Sequence, residues 1–348
     1  MPFAEDDLIG INEIAEMAGV SRQAVVNWRV RFPDFPKPLT ELKAGPVFRT
    51  RQVKAWLRKR KVPMARVVSL INLKGGVAKT TTTVALAETL ASRFGKRILV
   101  IDLDPQTNAT TMLIGEKKWK AINEKGWTLA TLFKDALDPN HKAFDLKKTL
   151  QKGVSDVQGA EKVDLLPSSL DLIDVQDKLA SAPTGQFYSV TPIDLLRLAV
   201  KSILDDYDLV LVDCPPNLGI ITLNGLRISE GYIIPTVPDV LSTYGIPQIV
   251  KRVRNFSKEV GENIEPLGIV ITKYQEASTI HVNVSRDLRR ENDPPVFDTV
   301  IRQANQIAAA AELQTSRRTL KQKYGYGDLA TRYIDLAQEL LDKLEIDA

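Results

Sequence analysis

Asn72-Leu73-Lys74-Gly75-Gly76-Val77-Ala78-Lys79-Thr80-Thr81-Thr82 decides how the rest of this 348-residue chain is read. It follows the β-branched run Val67-Val68-Ser69-Leu70-Ile71 and opens into Val84-Ala85-Leu86-Ala87-Glu88-Thr89-Leu90, a helical pattern. Strand, glycine-rich turn, Lys-Thr and helix is the layout of a phosphate-binding loop. Backbone N–H groups at a helix start lack internal partners and sit at the positive end of its dipole, so they bind phosphate oxygens. Gly75, Gly76, Val77, Ala78 and Thr81 belong to that backbone cradle, and the two glycines let it approach a ligand closely. Lys79 brings a charge to the outer phosphates, and Thr80 a hydroxyl to Mg2+.

Two positions depart from the standard loop. Leu73 stands where its first glycine would be and Ala78 where its last would be, while a second lysine, Lys74, precedes the glycine pair. Lys-Gly-Gly-Val-x-Lys-Thr-Thr resembles the deviant phosphate loop of the ParA/MinD family of ATPases. That resemblance implies that Lys74 reaches across a nucleotide-sandwich homodimer to the phosphates held by the other subunit.

Working outward, Ile98-Leu99-Val100-Ile101 is a continuous apolar run of the kind buried on both faces of a parallel sheet, and it ends in Asp102-Leu103-Asp104-Pro105-Gln106. Carboxylates at the carboxyl end of such a strand lie where open α/β sheets place their ligands. The segment is similar to the family's Asp-x-Asp-Pro-Gln motif, which implies that Asp104 orients or activates the attacking water and that Asp102 lies nearer the Mg2+ shell. Leu209-Val210-Leu211-Val212-Asp213-Cys214-Pro215-Pro216 reads as a Walker B strand, with Asp213 placed to hold Mg2+. Further strands are read at Gly231–Ile234 and Leu267–Lys273, and the resemblance carries Pro238, Thr272 and Lys273 over as contacts around adenine. The order of these motifs implies an α/β fold, a doubly wound, mostly parallel sheet over residues 66–348 that takes ATP or ADP with Mg2+.

Composition bounds the rest. Apolar residues make up 44% of the chain, and no window approaches the ~18 uninterrupted apolar residues of a membrane span. The acidic N-terminus does not read as a signal peptide, the single Cys214 excludes a disulfide framework, and a soluble cytoplasmic protein without a membrane partner is expected. His141 and His281 stand far apart and carry no metal reading. Net charge is +4, yet residues 1–66 hold 13 Lys/Arg against 7 Asp/Glu, and Phe48 to Lys61 holds seven basic residues and no acid. Such asymmetry points to a polyanion partner.

Within that basic segment, Ile11–Met17 and Ser21–Arg31 read as two helices around the turn Gly19-Val20, with Ala15, Val20, Val25 and Trp28 inward. Arg22, Gln23 and Asn27 then face outward as types suited to base edges, with Arg29 and Arg31 toward phosphates. A wing strand at Val47-Phe48-Arg49 and a basic helix from Thr50 to Arg60 complete an order similar to the winged helix-turn-helix of MerR-like and excisionase-like DNA binders. The expected division is a DNA-binding domain at 1–62, a linker at 63–65 and the ATPase domain at 66–348.

A second DNA surface is read near the C-terminus. Arg286, Arg289 and Arg290 precede Val296-Phe297-Asp298-Thr299-Val300-Ile301-Arg302, and Arg317, Arg318, Lys321 and Lys323 follow. The middle segment is similar to one in ParA proteins, which implies sequence-independent DNA contacts by Arg289, Arg290 and Arg302. The final helix, near Leu329–Leu344, is acidic as well as amphipathic, so it is expected to pack on the sheet and not to anchor on anionic lipid. Together the resemblances imply a nucleoid-associated DNA-partition ATPase stimulated by a ParB-like partner, whose N-terminal domain binds operator DNA. A nucleotide-sensing transcription regulator and a positioning ATPase for a protein cargo remain open. A nitrogenase-type reductase is disfavoured because it needs paired cysteines, and an amidating synthetase because no amidotransferase nucleophile is found.

Overall fold

The computed structural model describes residues 8–18, 22–32, 34–42, 45–59, 65–138, 141–181, 191–305, 310, 312–314, 316–326 and 328–346, with residues 31, 58, 59, 180 and 181 described by backbone alone. The expected turn at Gly19-Val20, the helix start at Ser21 and positions 63–64 of the linker lie outside the described residues. The chain divides into two compact units, residues 1–66 with 200–208, and residues 67–199 with 209–348.

The smaller unit contains β1 (Leu8–Ile9), α1 (Ile11–Ala18), α2 (Arg22–Arg31), β2 (Thr40–Leu42), β3 (Gly45–Arg49) and α3 (Thr50–Lys59). β3 lies between β1 and β2 and runs antiparallel to both. Ala15, Val25 and Trp28 are buried as their spacing requires, joined by Ile14, Phe48, Val53 and Trp56. Phe35 packs edge-on against Trp56, ring centroids 4.8 Å apart, and fixes the non-helical Pro-rich stretch to α3.

The larger unit opens with β4 (Arg66–Leu70), α4 (Lys79–Phe94), β5 (Ile98–Asp102), α5 (Asn108–Glu124), α6 (Leu129–Leu137) and α7 (Leu146–Thr149). β6 (Val163–Leu166), α8 (Leu172–Ser181), α9 (Leu195–Val200), β7 (Leu209–Asp213), α10 (Ile220–Ile228) and β8 (Gly231–Thr236) follow. The chain continues through α11 (Val240–Val260), β9 (Glu265–Tyr274), α12 (Thr279–Glu291), β10 (Val296–Arg302), α13 (Leu320–Tyr324) and α14 (Leu329–Lys343). The strands form one seven-stranded sheet in the order β10-β9-β8-β4-β7-β5-β6, parallel in register.

That order positions the site. β7 sits between β4 and β5, so the strands carrying the three motifs end side by side although they lie far apart in sequence. Every residue of β5 and β7 is buried, because helices cover both faces. Register makes Asp102 the direct cross-strand partner of Asp213. On α14, Leu329, Tyr333, Leu336 and Leu340 are buried against the sheet side, and Glu339 accepts the backbone N–H groups of Asp298 and Thr299 on β10. Among the described residues no helix is long and apolar enough to cross a membrane.

Candidate functional site

The phosphate loop is held from beneath. Asn72, nearly fully buried, donates its side-chain amide to the Pro235 carbonyl at 2.8 Å and accepts the Lys74 N–H at 2.9 Å. Thr272 Oγ1 donates to the Val77 carbonyl at 3.0 Å, tying the loop to β9. Gly76 has φ 75° and Ala78 φ 62°, both in the left-handed region where glycine is favoured. For Ala78 the left-handed conformation costs about 1–2 kcal/mol, which is the physical reason glycine usually stands there. No atom lies within 4 Å of where a Cβ of Gly75 or Gly76 would be, so the loop faces open space.

That space is a cleft of about 570 Å3 bounded by Gly75, Lys79, Thr80 and Thr81 on one side and by Asp104 and Gln106 on another. Its far wall comes from Thr111 and Met112 of α5, Lys273, Ile301 near the end of β10, and Gln303, Ala304 and Asn305 after it. The wall at 303–305 was not foreseen; its signal is its place directly behind the Val-Phe-x-Thr-x-Ile-Arg segment. Of the three residues carried over for adenine, Lys273 lines the cleft. Thr272 instead braces the loop from within the sheet, and Pro238 is not among the described residues that line the cavity.

The electrostatics are those of charges short of partners. Lys79 is 6% exposed and donates to the Lys74 carbonyl at 3.2 Å. Burial lowers its pKa, opposed by Asp213 and Asp104. Burial also pushes Asp213 up to about 7, with the neighbouring Thr80 hydroxyl, Lys79 and Thr83 working against the shift. Its Oδ1 accepts from Thr83 Oγ1 at 3.2 Å, while Oδ2 is buried without a hydrogen-bond partner among the described residues. An orphaned carboxylate oxygen is costly unless something fills it. With the Thr80 hydroxyl it makes an oxygen set fit for Mg2+, a hard cation that keeps several waters and needs few protein ligands. Among the described residues no cluster of three His, Cys, Asp or Glu side chains could hold a metal unaided, in keeping with such a site.

Asp104 and Asp102 part company. Asp104 lines the cleft, its Oδ1 accepting the Gln106 N–H at 2.9 Å, and burial raises its pKa while Lys79 opposes. Asp102 lies wholly below, with Oδ2 accepting from the Thr110 N–H and hydroxyl at 2.9 and 2.6 Å and Oδ1 from the Asp104 N–H at 3.1 Å. Its geometry is that of a brace for the loop bearing Asp104. Lys74 turns away from the cleft within this single chain. Its Nζ lies 3.0 Å from Asp239 Oδ2 and 2.8 Å from Ser242 Oγ, on the first turn of α11. Asp239 also caps that helix by accepting the Ser242 N–H.

Of the basic residues near the C-terminus, Arg289 and Arg302 line one cavity of about 270 Å3, joined by Arg332 and by Ser285, whose buried Oγ has no partner among the described residues. The arms are held by carboxylates, Arg302 by Glu276 and Asp328, Arg332 by Asp328 and Arg289 by Asp298, and Arg289 also donates to the Phe297 and Asp298 carbonyls. Arg290 is largely exposed. Arg318 and Lys323 are corrected: both are buried in ion pairs and cannot meet DNA. In the smaller unit Arg22, Gln23 and Arg49 are exposed, and Gln23 donates to Asn27 Oδ1 at 3.2 Å. Arg29 pairs with Glu41 of β2 at 2.9 Å, with its guanidinium carbon 5.7 Å from the Phe48 ring centroid.

Comparison with known proteins falls on the same region. Residues 65–266 match the family model AAA_31, an AAA domain. Chromosome-partitioning ATPase Soj of Thermus thermophilus is 30% identical over 80% of this chain and 97% of its own. Sporulation initiation inhibitor protein Soj of Bacillus subtilis is 28% identical over 68% of this chain and 84% of its own. Among solved structures, cobyrinic acid a,c-diamide synthase from Mycobacterium smegmatis, with bound ADP and magnesium, is 25% identical over 81% of this chain and 96% of that one, with a TM-score of 0.62. A synthase and partition ATPases on one scaffold show that the fold alone does not choose the activity. With the family model spanning more than half of it and a partition ATPase aligned over four fifths, the chain belongs to the AAA domain family as a P-loop ATPase of the ParA/MinD type.

Proposed function

We propose that this protein is a Mg2+-dependent ATPase of DNA partition. The observation that carries the reading is the meeting of Lys79, Thr80 and Asp104 at one cleft whose backbone is built for phosphate, with the orphaned Asp213 oxygen buried behind Thr80. Loop N–H groups and Lys79 bind the phosphates, and the adenosine lies toward Lys273 and residues 303–305. Thr80 and Asp213 hold Mg2+, directly or through water, and the bound ion neutralises charge on the phosphates. Asp104, held by Gln106 and by the brace at Asp102, orients the attacking water. In the homodimer Lys74 leaves Asp239 and Ser242 for the partner's phosphates.

The DNA side of the proposal rests on two surfaces. Arg289, Arg290 and Arg302, with Arg332 beside them, contact phosphates without sequence preference, exchanging Glu276 and Asp328 for DNA, so affinity falls steeply with salt. In the smaller unit Arg22, Gln23, Asn27 and Arg49 read operator DNA in the manner of a winged helix-turn-helix. A ParB-like partner stimulates hydrolysis, and the protein works on the nucleoid in the cytoplasm. ATP turnover measured with and without DNA tests the reading. Stimulation by DNA or partner is expected; binding of ATP with no turnover under either condition would favour a nucleotide-sensing regulator instead.

A further inference from the structure

A second group of buried charges lies on the same helix as the phosphate loop, and the reaction makes no use of it. Glu88, nine residues after Lys79 on α4, is fully buried. Its Oε1 accepts from Lys323 Nζ at 2.7 Å and Ser155 Oγ at 2.8 Å, and its Oε2 from the Tyr324 hydroxyl at 2.6 Å. Lys323, with a side chain 0% exposed, also donates to Asp156 Oδ1 at 2.8 Å. Asp156 Oδ2 accepts from Arg318 Nε at 2.8 Å and the Gln314 N–H at 3.0 Å, and Arg318 Nη2 donates to the Glu312 carbonyl. Two cations and two anions are thereby matched within the core, joining α4, the 151–160 loop and the 312–324 segment.

A buried ion network is a poor source of net stability, since apolar residues of similar volume often do as well, but it specifies one arrangement of the parts it joins. One of the joined parts, α4, supplies Lys79, Thr80 and Thr81 to the cleft. The segment that Lys323 and Arg318 anchor is the continuation of Gln303-Ala304-Asn305, which form the cleft's far wall. It reaches the other side of that wall too, because a Leu313 methyl lies 3.2 Å from the position a Cβ of Gly115 would take, at the kink of the helix that bears Thr111 and Met112. Ile301, Ala310, Leu320 and Tyr324 share one apolar cluster with α4.

We propose that Glu88, Lys323 and Asp156 form a positioning cluster for the nucleoside half of the cleft, setting the far wall against the helix that binds the phosphates. The inference rests on the nucleotide reading of that cleft. It assigns the cluster to recognition of the base and ribose, not to phosphate binding or hydrolysis.

The probes are ATP and inorganic tripolyphosphate, which shares the phosphates and lacks the nucleoside. Glu88→Gln keeps shape but removes the charge and turns one acceptor oxygen into a donor, and Glu88→Gln with Lys323→Met removes the tie while leaving the core neutral. In both full-length variants ATP affinity should fall about tenfold, with tripolyphosphate affinity unchanged and KM for ATP raised at constant kcat. Unchanged ATP affinity, or equal loss for both probes, in a variant that retains its unfolding transition overturns the proposal. If the double variant fails to fold, Glu88→Gln alone decides between the same two outcomes. A wild-type protein that binds ATP no better than tripolyphosphate would instead remove the nucleotide reading beneath it.

Discussion

Two lysines are buried along helix α4, one at its mouth and one at its middle, and their surroundings differ in one respect. Lys79 faces carboxylates that remain short of partners: Asp213 keeps an orphaned oxygen, and burial holds both Asp213 and Asp104 above their ordinary range. Lys323 faces carboxylates that are matched in full, and although burial pushes Asp156 up, Lys323 and Arg318 outweigh it and hold that carboxyl below the usual range. The same residue type, equally removed from water, is unfinished in one place and finished in the other. An unfinished set of charges is what a ligand completes; a finished one holds the scaffold.

The comparison can be broken by exchanging the roles. Lys79→Ala should weaken ATP binding at least a hundredfold, since a charge-assisted contact to phosphate is lost, and calorimetric titration would measure it. Asp104→Ala should leave ATP affinity within a few-fold while lowering the single-turnover rate by about 10²–10⁴. Lys323→Met should cost about 3–5 kcal/mol in urea unfolding because it strands Glu88 and Asp156. Lys79→Met should move stability by about 1 kcal/mol or less, as its one described hydrogen bond is to a loop carbonyl. If the two methionine variants were equally destabilised, the distinction between site and scaffold would fail.

Smaller effects sharpen it. Ala78→Gly relieves about 1–2 kcal/mol of left-handed strain against roughly 0.5–1 kcal/mol of added chain entropy, so stability should rise by no more than about 1.5 kcal/mol in thermal unfolding. Below the ordinary carboxylate range the depressed pKa of Asp156 acts in one direction. Its contribution is present above its unfolded pKa and fades as pH falls through the folded one, so the Lys323→Met penalty should shrink toward low pH.

Much of the cleft was legible in the sequence because its working residues sit in short contiguous motifs at strand ends. An apolar run followed by Asp, or by Gly-Gly-Val-Ala-Lys-Thr, states both element and chemistry within about ten residues. What was not legible depends on distance. Lys323 reads as one more cation in a basic stretch because its partners Glu88 and Asp156 stand 235 and 167 residues away. The pairing of Lys74 with Asp239, 165 residues off, and of Arg29 with Glu41 of β2 is equally hidden in the sequence. That Asp102 Oδ2 takes the Thr110 hydroxyl is likewise not written in the motif around it. Chain pattern announces burial of apolar residues far better than the pairing of charged ones.

ATP turnover by the full-length protein, before and after removal of Mg2+ by a chelator and again after its return, tests the central claim most directly. Hydrolysis that stops with chelation and resumes with Mg2+ is the result expected of a cleft completed at Asp213 and Thr80. No hydrolysis at all, or hydrolysis indifferent to the chelator, would contradict it.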